Sequence, residues 1–176
     1  MKSSYIENRL DIVFKTLCGV IKPKRIIEFG ILDGYSLKTF IESTNECDII
    51  ACDLFDEFPY NAADWDEINT KYGDHASIYK SDFYNSMGII NDDSVDIIHI
   101  DIANDADVFK FGIENYLPKI KKGGVLVFEG GSKERDEVYW MKDYDKPKIN
   151  PFLETIKGDY NITIIEDFPS LTIIKK

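Results

Sequence analysis

The chain has 176 residues, of which 44% are apolar and 30% are charged, and this length and balance predict a single globular domain over residues 1–176. The net charge of -11 and the pI near 4.6 disfavour contact with a phosphate backbone, so we expect no nucleic-acid partner. No apolar run approaches the roughly 20 residues of a membrane span, and the N-terminus lacks the apolar segment of a signal peptide. We therefore expect no membrane partner and a cytoplasmic protein.

Helices and strands are predicted to alternate along most of the chain. Apolar residues recur at helical spacing from Ile6 to Ile21, after two serines, Ser3 and Ser4, that can cap a helix start. The short run 25–29 then predicts a strand, and helical spacing returns beyond Gly34. Strands are predicted next at 48–53, 76–81, 95–101 and 125–129, with helices at 61–72 and 106–120. Strands that are apolar on both faces and separated by helices indicate a parallel sheet covered on both sides.

The C-terminal region has a different pattern. Two β-rich runs, 160–166 and 170–175, are separated by only three residues, too few for a parallel crossover, so we expect an antiparallel hairpin at the sheet edge. The preceding segment 130–151 is rich in charged and aromatic residues and weakly periodic, which predicts a loop and helix over the ligand edge. The whole pattern predicts a Rossmann-like, doubly wound α/β fold, with a mostly parallel seven-stranded sheet and an antiparallel C-terminal hairpin.

The end of the first predicted strand carries a glycine turn. Ligands of open α/β sheets bind beyond the carboxyl ends of the strands, and Gly30 and Gly34 permit backbone conformations that a Cβ would block. The helix start that follows offers free N–H groups to a carboxylate, and Ser36 can add a hydroxyl. A dinucleotide site would need a further glycine where Leu32 stands. The turn therefore favours a ligand without phosphates, although a structural turn would use the same glycines.

Acidic residues end the next two predicted strands. Asp53 lies 19 residues after Gly34, where its carboxylate can accept both hydroxyls of a ribose. Asp82 and Phe83 can present a carboxylate and an aromatic edge to an adenine. Both acids also have a simpler interpretation as caps of the following helix or loop.

These strand ends, in this order, resemble the class I S-adenosylmethionine-dependent methyltransferases. The segment EFGILDGYS beginning at Glu28 is similar to the first motif of that family, and Asp53 and Asp82 are similar to the second and third. Within the class, FGILDGYS, HIDIAND and GGVLVFEGGS look most like small O-methyltransferases of the macrocin-type and catechol-like group. The resemblance implies an S-adenosylmethionine cofactor, and we assign its site to Glu28, Gly30, Gly34, Ser36, Asp53, Leu54, Asp82 and Phe83.

The resemblance also raises the question of a metal ion. In metal-dependent members, an acid ending the fourth strand and an Asp-Asn pair ending the fifth strand coordinate a divalent ion. Asp101 matches the first position, whereas Glu129 and Gly130 stand at the second. Asp101 and Glu129, with Asp105 nearby, are candidate ligands for Mg²⁺, which prefers oxygen donors. The missing amide leaves open whether Mg²⁺ is a second cofactor.

Methyl transfer to a hydroxyl requires a group that removes the acceptor's proton. Asp101 is the predicted base, and His99 lies two residues earlier on the same strand face, although a histidine within a strand is more often a hydrogen-bonded core residue. Arg135, Tyr139 and Trp140 are predicted to line an acceptor pocket, or else to pack the covering segment.

The sequence therefore predicts O-methylation of a small molecule or a saccharide, with a homo-oligomer left open. The alternative is a non-catalytic cofactor-binding or scaffold module with the same fold.

Overall fold

The computed structural model describes residues 3–57 and 63–176. Within these residues, seven strands form one sheet in the order β3-β2-β1-β4-β5-β7-β6. The strands are β1 (Arg25–Phe29), β2 (Asp48–Asp53), β3 (Ser77–Lys80), β4 (Val95–Ile100), β5 (Ile120–Glu129), β6 (Asn161–Ile165) and β7 (Leu171–Lys175). The first five strands are parallel, and β7 pairs antiparallel with both β5 and β6. This arrangement confirms the predicted doubly wound sheet with a reversed C-terminal hairpin.

Helices cover both faces of the sheet. Alternate residues of a strand point to opposite faces, and accordingly Ile26 packs in one apolar cluster while Ile27 packs in the other. The first cluster includes buried residues of α1 (Asp11–Ile21), α2 (Tyr35–Ser43) and α3 (Trp65–Tyr72). The second includes residues of α4 (Ala106–Asn115) and α6 (Ile149–Ile156), and the short α5 (Tyr139–Asp143) precedes α6.

Three predicted helices have different bounds in the structure. The N-terminal helix begins only at Asp11, because Arg9 adopts a positive φ of 53°, and Ser3 instead caps a separate 3-10 turn at Ser4–Ile6. The predicted helix 61–72 starts at Trp65 with Asp64 as its cap, and residues 61 and 62 lie outside the described residues. The predicted helix 106–120 ends at Asn115; a 3-10 turn that contains a proline follows, and β5 starts at Ile120.

The N-terminal residues reach the carboxyl edge of the sheet. The Ser3 amide donates to Asp33 Oδ2 at 3.0 Å, and the side-chain amide of Asn8 donates to the carbonyl of Phe168 beside the C-terminal hairpin. Tyr5, between them, is fully buried. The edge that should carry the ligand is therefore partly covered from the start of the chain. No helix of the described residues is long and apolar enough to cross a membrane.

Candidate active site

The glycine turn after β1 depends on two positive φ angles. Gly30 has a φ of 88°, and a Cβ built on it would lie 1.9 Å from the carbonyl oxygen of Asp101. Gly34 has a φ of 77°, and its Cβ would lie 2.5 Å from the ring of Tyr72. Because such contacts with backbone or a buried ring cannot be relieved cheaply, both positions require glycine. The turn is held tightly against the end of β4 on one side and against α3 on the other.

A cavity of about 500 Å³ opens beside this turn, a volume within the range of small-ligand sites. Its walls come mainly from the residues that end or follow the first four strands. They are Phe29, Gly30, Leu32, Cys52, Asp53, Leu54, Ser81, Asp82, Phe83, Tyr84, Asp101, Ile102 and Ala103, with Asp105, Val108 and Lys146. Five of the predicted cofactor residues are thus brought together with the predicted base. The other three, Glu28, Gly34 and Ser36, do not line this cavity.

Backbone amides fix the carboxylate of Asp53 at the end of β2. Its Oδ2 accepts the Ile31 N–H at 2.7 Å, and its Oδ1 accepts the Phe55 N–H at 2.8 Å. The residue is 7% exposed and lines the cavity. These two bonds fix the orientation of the Asp53 carboxylate at the cavity wall.

Asp82 combines the two roles that the sequence left open. Its Oδ1 accepts the Tyr84 N–H at 3.1 Å and its Oδ2 accepts the side-chain amide of Asn85 at 2.7 Å, so it caps the local turn. It also lines the cavity, next to Phe83. The Phe83 ring packs edge-on against Phe29 with ring centroids 5.3 Å apart. The capping interpretation and the ligand-facing interpretation of Asp82 are therefore compatible.

The predicted base lies next to a buried chain of polar groups. Asp101 lines the cavity, and burial raises the pKa of its carboxyl. Behind it, His99 Nε2 is 3.2 Å from the Tyr5 hydroxyl and His99 Nδ1 is 2.9 Å from Glu28 Oε1. The Tyr5 hydroxyl interacts with the Asp101 carboxylate, and burial together with that carboxylate raises the pKa of Tyr5 well above its ordinary value.

This arrangement corrects two assignments. His99 is fully buried, and both ring nitrogens are within hydrogen-bonding distance of protein groups, so it does not meet an acceptor in the cavity. Glu28 is also fully buried and contacts His99 instead of lining the cavity. Tyr5, which the sequence did not single out, joins this chain to Asp101. No local pattern distinguishes this tyrosine, because its partners lie more than 90 residues away.

The predicted acceptor residues after β5 occupy other positions. Arg135 is 4% exposed and forms a two-point ion pair with Glu129: its Nε donates to Oε1, and its Nη2 donates to Oε2 at 2.8 Å. Trp140 packs on the guanidinium, with 4.9 Å between the Arg135 Cζ and the ring centroid, and Tyr139 is 79% exposed. None of the three lines the cavity. Arg135 is held by Glu129 at the end of β5, so the guanidinium and the Trp140 ring on it pack against the sheet.

The carboxylates predicted to bind Mg²⁺ do not form a metal site. Glu129 is occupied by Arg135, and the Asn104 side-chain amide donates to the backbone carbonyls of Ile100 and Glu129. Asp105 caps α4 through the N–H groups of residues 107 and 108. Within residues 3–57 and 63–176, no group of three or more His, Cys, Asp or Glu side chains could hold a metal ion. The pairing of Asp101 and Glu129 as ligands is therefore corrected: the donor set does not fit a divalent ion.

Lys146 and Tyr84 are among the cavity residues that were not assigned to the site from the sequence. Lys146 Nζ lies 3.3 Å from Asp105 Oδ2, and Tyr84 packs against Phe83. Lys146 comes from the segment between α5 and α6, so only the fold brings it to the cavity. The segment 130–151 does reach the ligand edge, but through this lysine and not through the predicted aromatic residues.

A doubly wound sheet with a reversed terminal hairpin, and a cavity beside a glycine turn at its carboxyl edge, are features of methyltransferase domains. A family model described as a methyltransferase domain matches residues 27–129 of this chain. The match spans more than half of the chain, which therefore belongs to the methyltransferase domain family. It includes the strand ends that form most of the cavity wall.

Solved structures agree with this fold. The provisionally assigned caffeoyl-CoA O-methyltransferase of Staphylococcus aureus superposes with a TM-score of 0.74 at 22% identity, covering 96% of this chain and 83% of that one. An O-methyltransferase of Bacillus cereus in complex with SAH gives 0.69 at 15% identity, covering 100% and 83%. TomG of Streptomyces achromogenes, an O-methyltransferase of tomaymycin synthesis in complex with SAM, gives 0.67 at 15% identity, covering 96% and 80%.

A curated relative is much longer than this chain. The uncharacterized protein y4gI of Sinorhizobium fredii is 25% identical over an alignment of 123 residues that covers 64% of this chain. The chain spans only 14% of the length of that relative. The similarity therefore concerns the shared domain and carries no activity of the longer protein.

Proposed function

We propose that the protein is an S-adenosylmethionine-dependent methyltransferase that methylates a hydroxyl group of a small molecule or a saccharide. The observation that carries this proposal is the cavity of about 500 Å³, where five predicted cofactor residues and Asp101 meet. The cofactor, when bound, supplies the activated methyl group. The O-methyltransferases of similar fold that are described with SAM or SAH support the same choice of ligand.

The chemistry of the cavity wall fits this cofactor. Asp53 is oriented by two backbone N–H groups, as a carboxylate that accepts ribose hydroxyls should be. Phe83 offers an aromatic surface and Asp82 a carboxylate for adenine. Four aspartates line the cavity together with one lysine, which is paired with Asp105. Such a wall favours a cationic sulfonium and disfavours phosphate groups.

Asp101 is the group that we propose to accept the proton of the acceptor hydroxyl. It lies on the cavity wall, and burial raises its pKa, which brings a carboxylate closer to the range of effective general bases. Tyr5 interacts with this carboxylate from the protein side. Tyr5, His99 and Glu28 then act as positioning residues, because none of them lines the cavity.

Titration calorimetry with S-adenosylmethionine and its demethylated product tests the cofactor assignment. We expect saturable binding of both, weakened by roughly 10- to 100-fold in Asp53→Ala, since a hydrogen bond to a charged group contributes about 1.5–3 kcal/mol. Asp92→Ala is the matched control, because Asp92 is an exposed aspartate paired with Lys119 and outside the cavity wall. Its affinity should equal that of the wild type.

Two results would contradict the proposal in different ways. Absence of binding by the wild type would reject the cofactor site, and unchanged affinity in Asp53→Ala would reject the ribose assignment. Binding without methyl incorporation into any of a panel of phenolic, catecholic and saccharide acceptors would favour the non-catalytic module instead.

A further inference from the structure

We propose that the guanidinium of Arg135 supplies the positive charge beside Asp101 and Glu129. A divalent ion supplies that charge in the metal-dependent enzymes that the sequence resembles. The part of this inference that concerns methyl transfer rests on the proposed function, and it states that the transfer proceeds without a bound metal. The part that concerns the charge arrangement stands on the structure alone.

The two carboxylates stand at the ends of neighbouring strands. β4 and β5 pair in parallel up to Ile100 and Phe128, Asp101 directly follows β4, and Glu129 is the last residue of β5. Each carboxylate raises the pKa of a neighbouring group: Asp101 raises that of Glu129, and both raise that of Tyr5. A cation beside two carboxylates so placed relieves the repulsion between their like charges.

Arg135 provides that cation. Its side chain contacts both oxygens of Glu129, and its Nη2 also lies 3.5 Å from the Asn104 carbonyl oxygen. Arg135 and Glu129 are 4% and 5% exposed. The positive charge of Arg135 lowers the pKa of Asp101 as well as that of Glu129. One guanidinium therefore stabilises the charged forms of both carboxylates.

The backbone around Arg135 holds the guanidinium in place. The Arg135 N–H donates to Ser132 Oγ at 3.1 Å, and the Ser132 N–H donates to Ser170 Oγ at 3.2 Å, next to β7. The Asp136 carboxylate accepts the N–H groups of Ile149 and Asn150 at the start of α6, each at 2.8 Å. The arginine is thus fastened to the hairpin and to α6, so it does not behave as a free side chain that leaves when an ion arrives.

A divalent ion would meet unfavourable chemistry beside this guanidinium. The oxygens of Glu129 are already hydrogen-bonded, and a second cation would be repelled by the buried arginine. Mg²⁺ also demands nearly octahedral oxygen coordination, and no group of three or more His, Cys, Asp or Glu side chains in the described part of the chain could hold an ion. Arg135 and a metal ion are therefore alternatives at this position.

Binding of Mn²⁺, measured by electron paramagnetic resonance on the full chain, tests the charge arrangement without any methyl acceptor. We expect no saturable Mn²⁺ site in the wild type up to about 1 mM. Arg135→Met frees the carboxylates while keeping an apolar side chain beside Trp140, and we expect it to bind Mn²⁺ at least about tenfold more tightly than the wild type. Adding Asp101→Asn to this variant should remove the gained site.

The matched control is Arg25→Met, which removes an exposed arginine from its pair with Asp48 and should gain no Mn²⁺ site. Thermal unfolding checks that each variant is folded. If Arg135→Met does not fold, Arg135→Lys replaces it; because this variant retains a cation, we expect it to exclude Mn²⁺ as the wild type does.

Saturable Mn²⁺ binding by the wild type that Asp101→Asn abolishes would overturn the proposal. So would a folded Arg135→Met that gains no Mn²⁺ site, or an Arg135→Lys that binds Mn²⁺ at Asp101. Once turnover is established with an acceptor, it should be unchanged by EDTA and by added Mg²⁺. Absence of turnover would reject the proposed function while leaving the Mn²⁺ results intact.

Discussion

The carboxylates at the two halves of the sheet's carboxyl edge have different hydrogen-bond partners. Beyond β1, β2 and β3, backbone N–H groups hold Asp53 beside an open cavity. Beyond β5, the buried side chain of Arg135 fills the space over Glu129. Backbone N–H groups fix the Asp53 carboxylate at the cavity wall. The guanidinium of Arg135 instead binds both oxygens of Glu129, which keeps a ligand away from that carboxylate. We call the first the open half, because it borders the cavity, and the second the closed half, because Arg135 binds Glu129 there.

Asp101 lies where these halves meet. It belongs to the cavity wall, and burial raises its pKa, while the positive charge of Arg135 has a smaller, lowering effect. In the reaction that we propose, the open half gives Asp101 access to an acceptor, and the closed half contributes the charge of Arg135, which lowers the pKa of Asp101. Substitutions on either side should therefore separate binding, catalysis and stability.

The largest expected effect comes from the closed half. Arg135→Met should lower the free energy of unfolding by about 3–5 kcal/mol, because Glu129 stays buried without its partner. The double variant Arg135→Met/Glu129→Met should recover much of this loss, since replacing both members of a buried pair by apolar side chains is often nearly neutral. Urea unfolding measures both values. Cofactor affinity should stay the same in the double variant, because neither residue lines the cavity.

Equal destabilisation in the single and the double variant would contradict this account. That result would assign the role of Arg135 to packing against Trp140 and not to charge. A loss of cofactor affinity in the folded double variant would show that the two halves of the edge are not independent.

Asp101→Asn should separate catalysis from stability. Turnover should fall by roughly 10²- to 10⁴-fold because the proton acceptor is lost, while calorimetry should show nearly unchanged cofactor affinity. Burial raises the pKa of Asp101, so its contribution to stability is complete below the unfolded-state pKa and is lost as the pH rises through the folded-state pKa. Compared with the wild type, Asp101→Asn should therefore gain thermal stability as the pH rises above the unfolded-state pKa of Asp101.

Thermal unfolding at several pH values checks this sign. A variant that lost stability relative to the wild type as the pH rose would show that the ionised carboxylate is favoured by folding. Retained turnover would remove Asp101 from the proposed chemistry.

The fold and the open half of the site could be predicted largely from local sequence. Short apolar runs define the strands, and the acid that ends a strand of a parallel sheet lies at the ligand edge whatever its distant neighbours are. Asp53 and Asp82 were placed at this edge in this way, Gly30 was placed there by the glycine turn, and all three line the cavity. The helix bounds were less accurate, because a single positive φ at Arg9 separates the N-terminal turn from α1, and no periodicity reveals it.

The closed half could not be predicted because it depends on side chains that meet only in the fold. Arg135 and Glu129 are six residues apart, but nothing in that spacing shows that the intervening glycines return the chain onto β5. Tyr5 and His99 are 94 residues apart. An arginine and aromatic residues after a strand are compatible with an acceptor pocket and also with a segment that packs on the sheet. Only the burial of Arg135 distinguishes these two interpretations.

Tyr5→Phe should have the smallest effect of these changes, and it tests the link between the N-terminal segment and the base. The Tyr5 hydroxyl lowers the pKa of Asp101, so its removal should move the acidic limb of the turnover profile to higher pH. The maximum rate should change by less than about tenfold, because the base itself remains. The free energy of unfolding should fall by about 1–3 kcal/mol, since His99 Nε2 loses its partner.

The matched control is Tyr144→Phe, which removes the hydroxyl of a tyrosine that is 73% exposed and should alter neither quantity. If Tyr5 has only a structural role, Tyr5→Phe should lower the free energy of unfolding without shifting the pH profile of turnover. A shift of the acidic limb to lower pH would contradict the assignment, because it would mean that the Tyr5 hydroxyl stabilises the protonated form of Asp101. The direction of that shift therefore distinguishes a residue that positions the base from one that only fills the core.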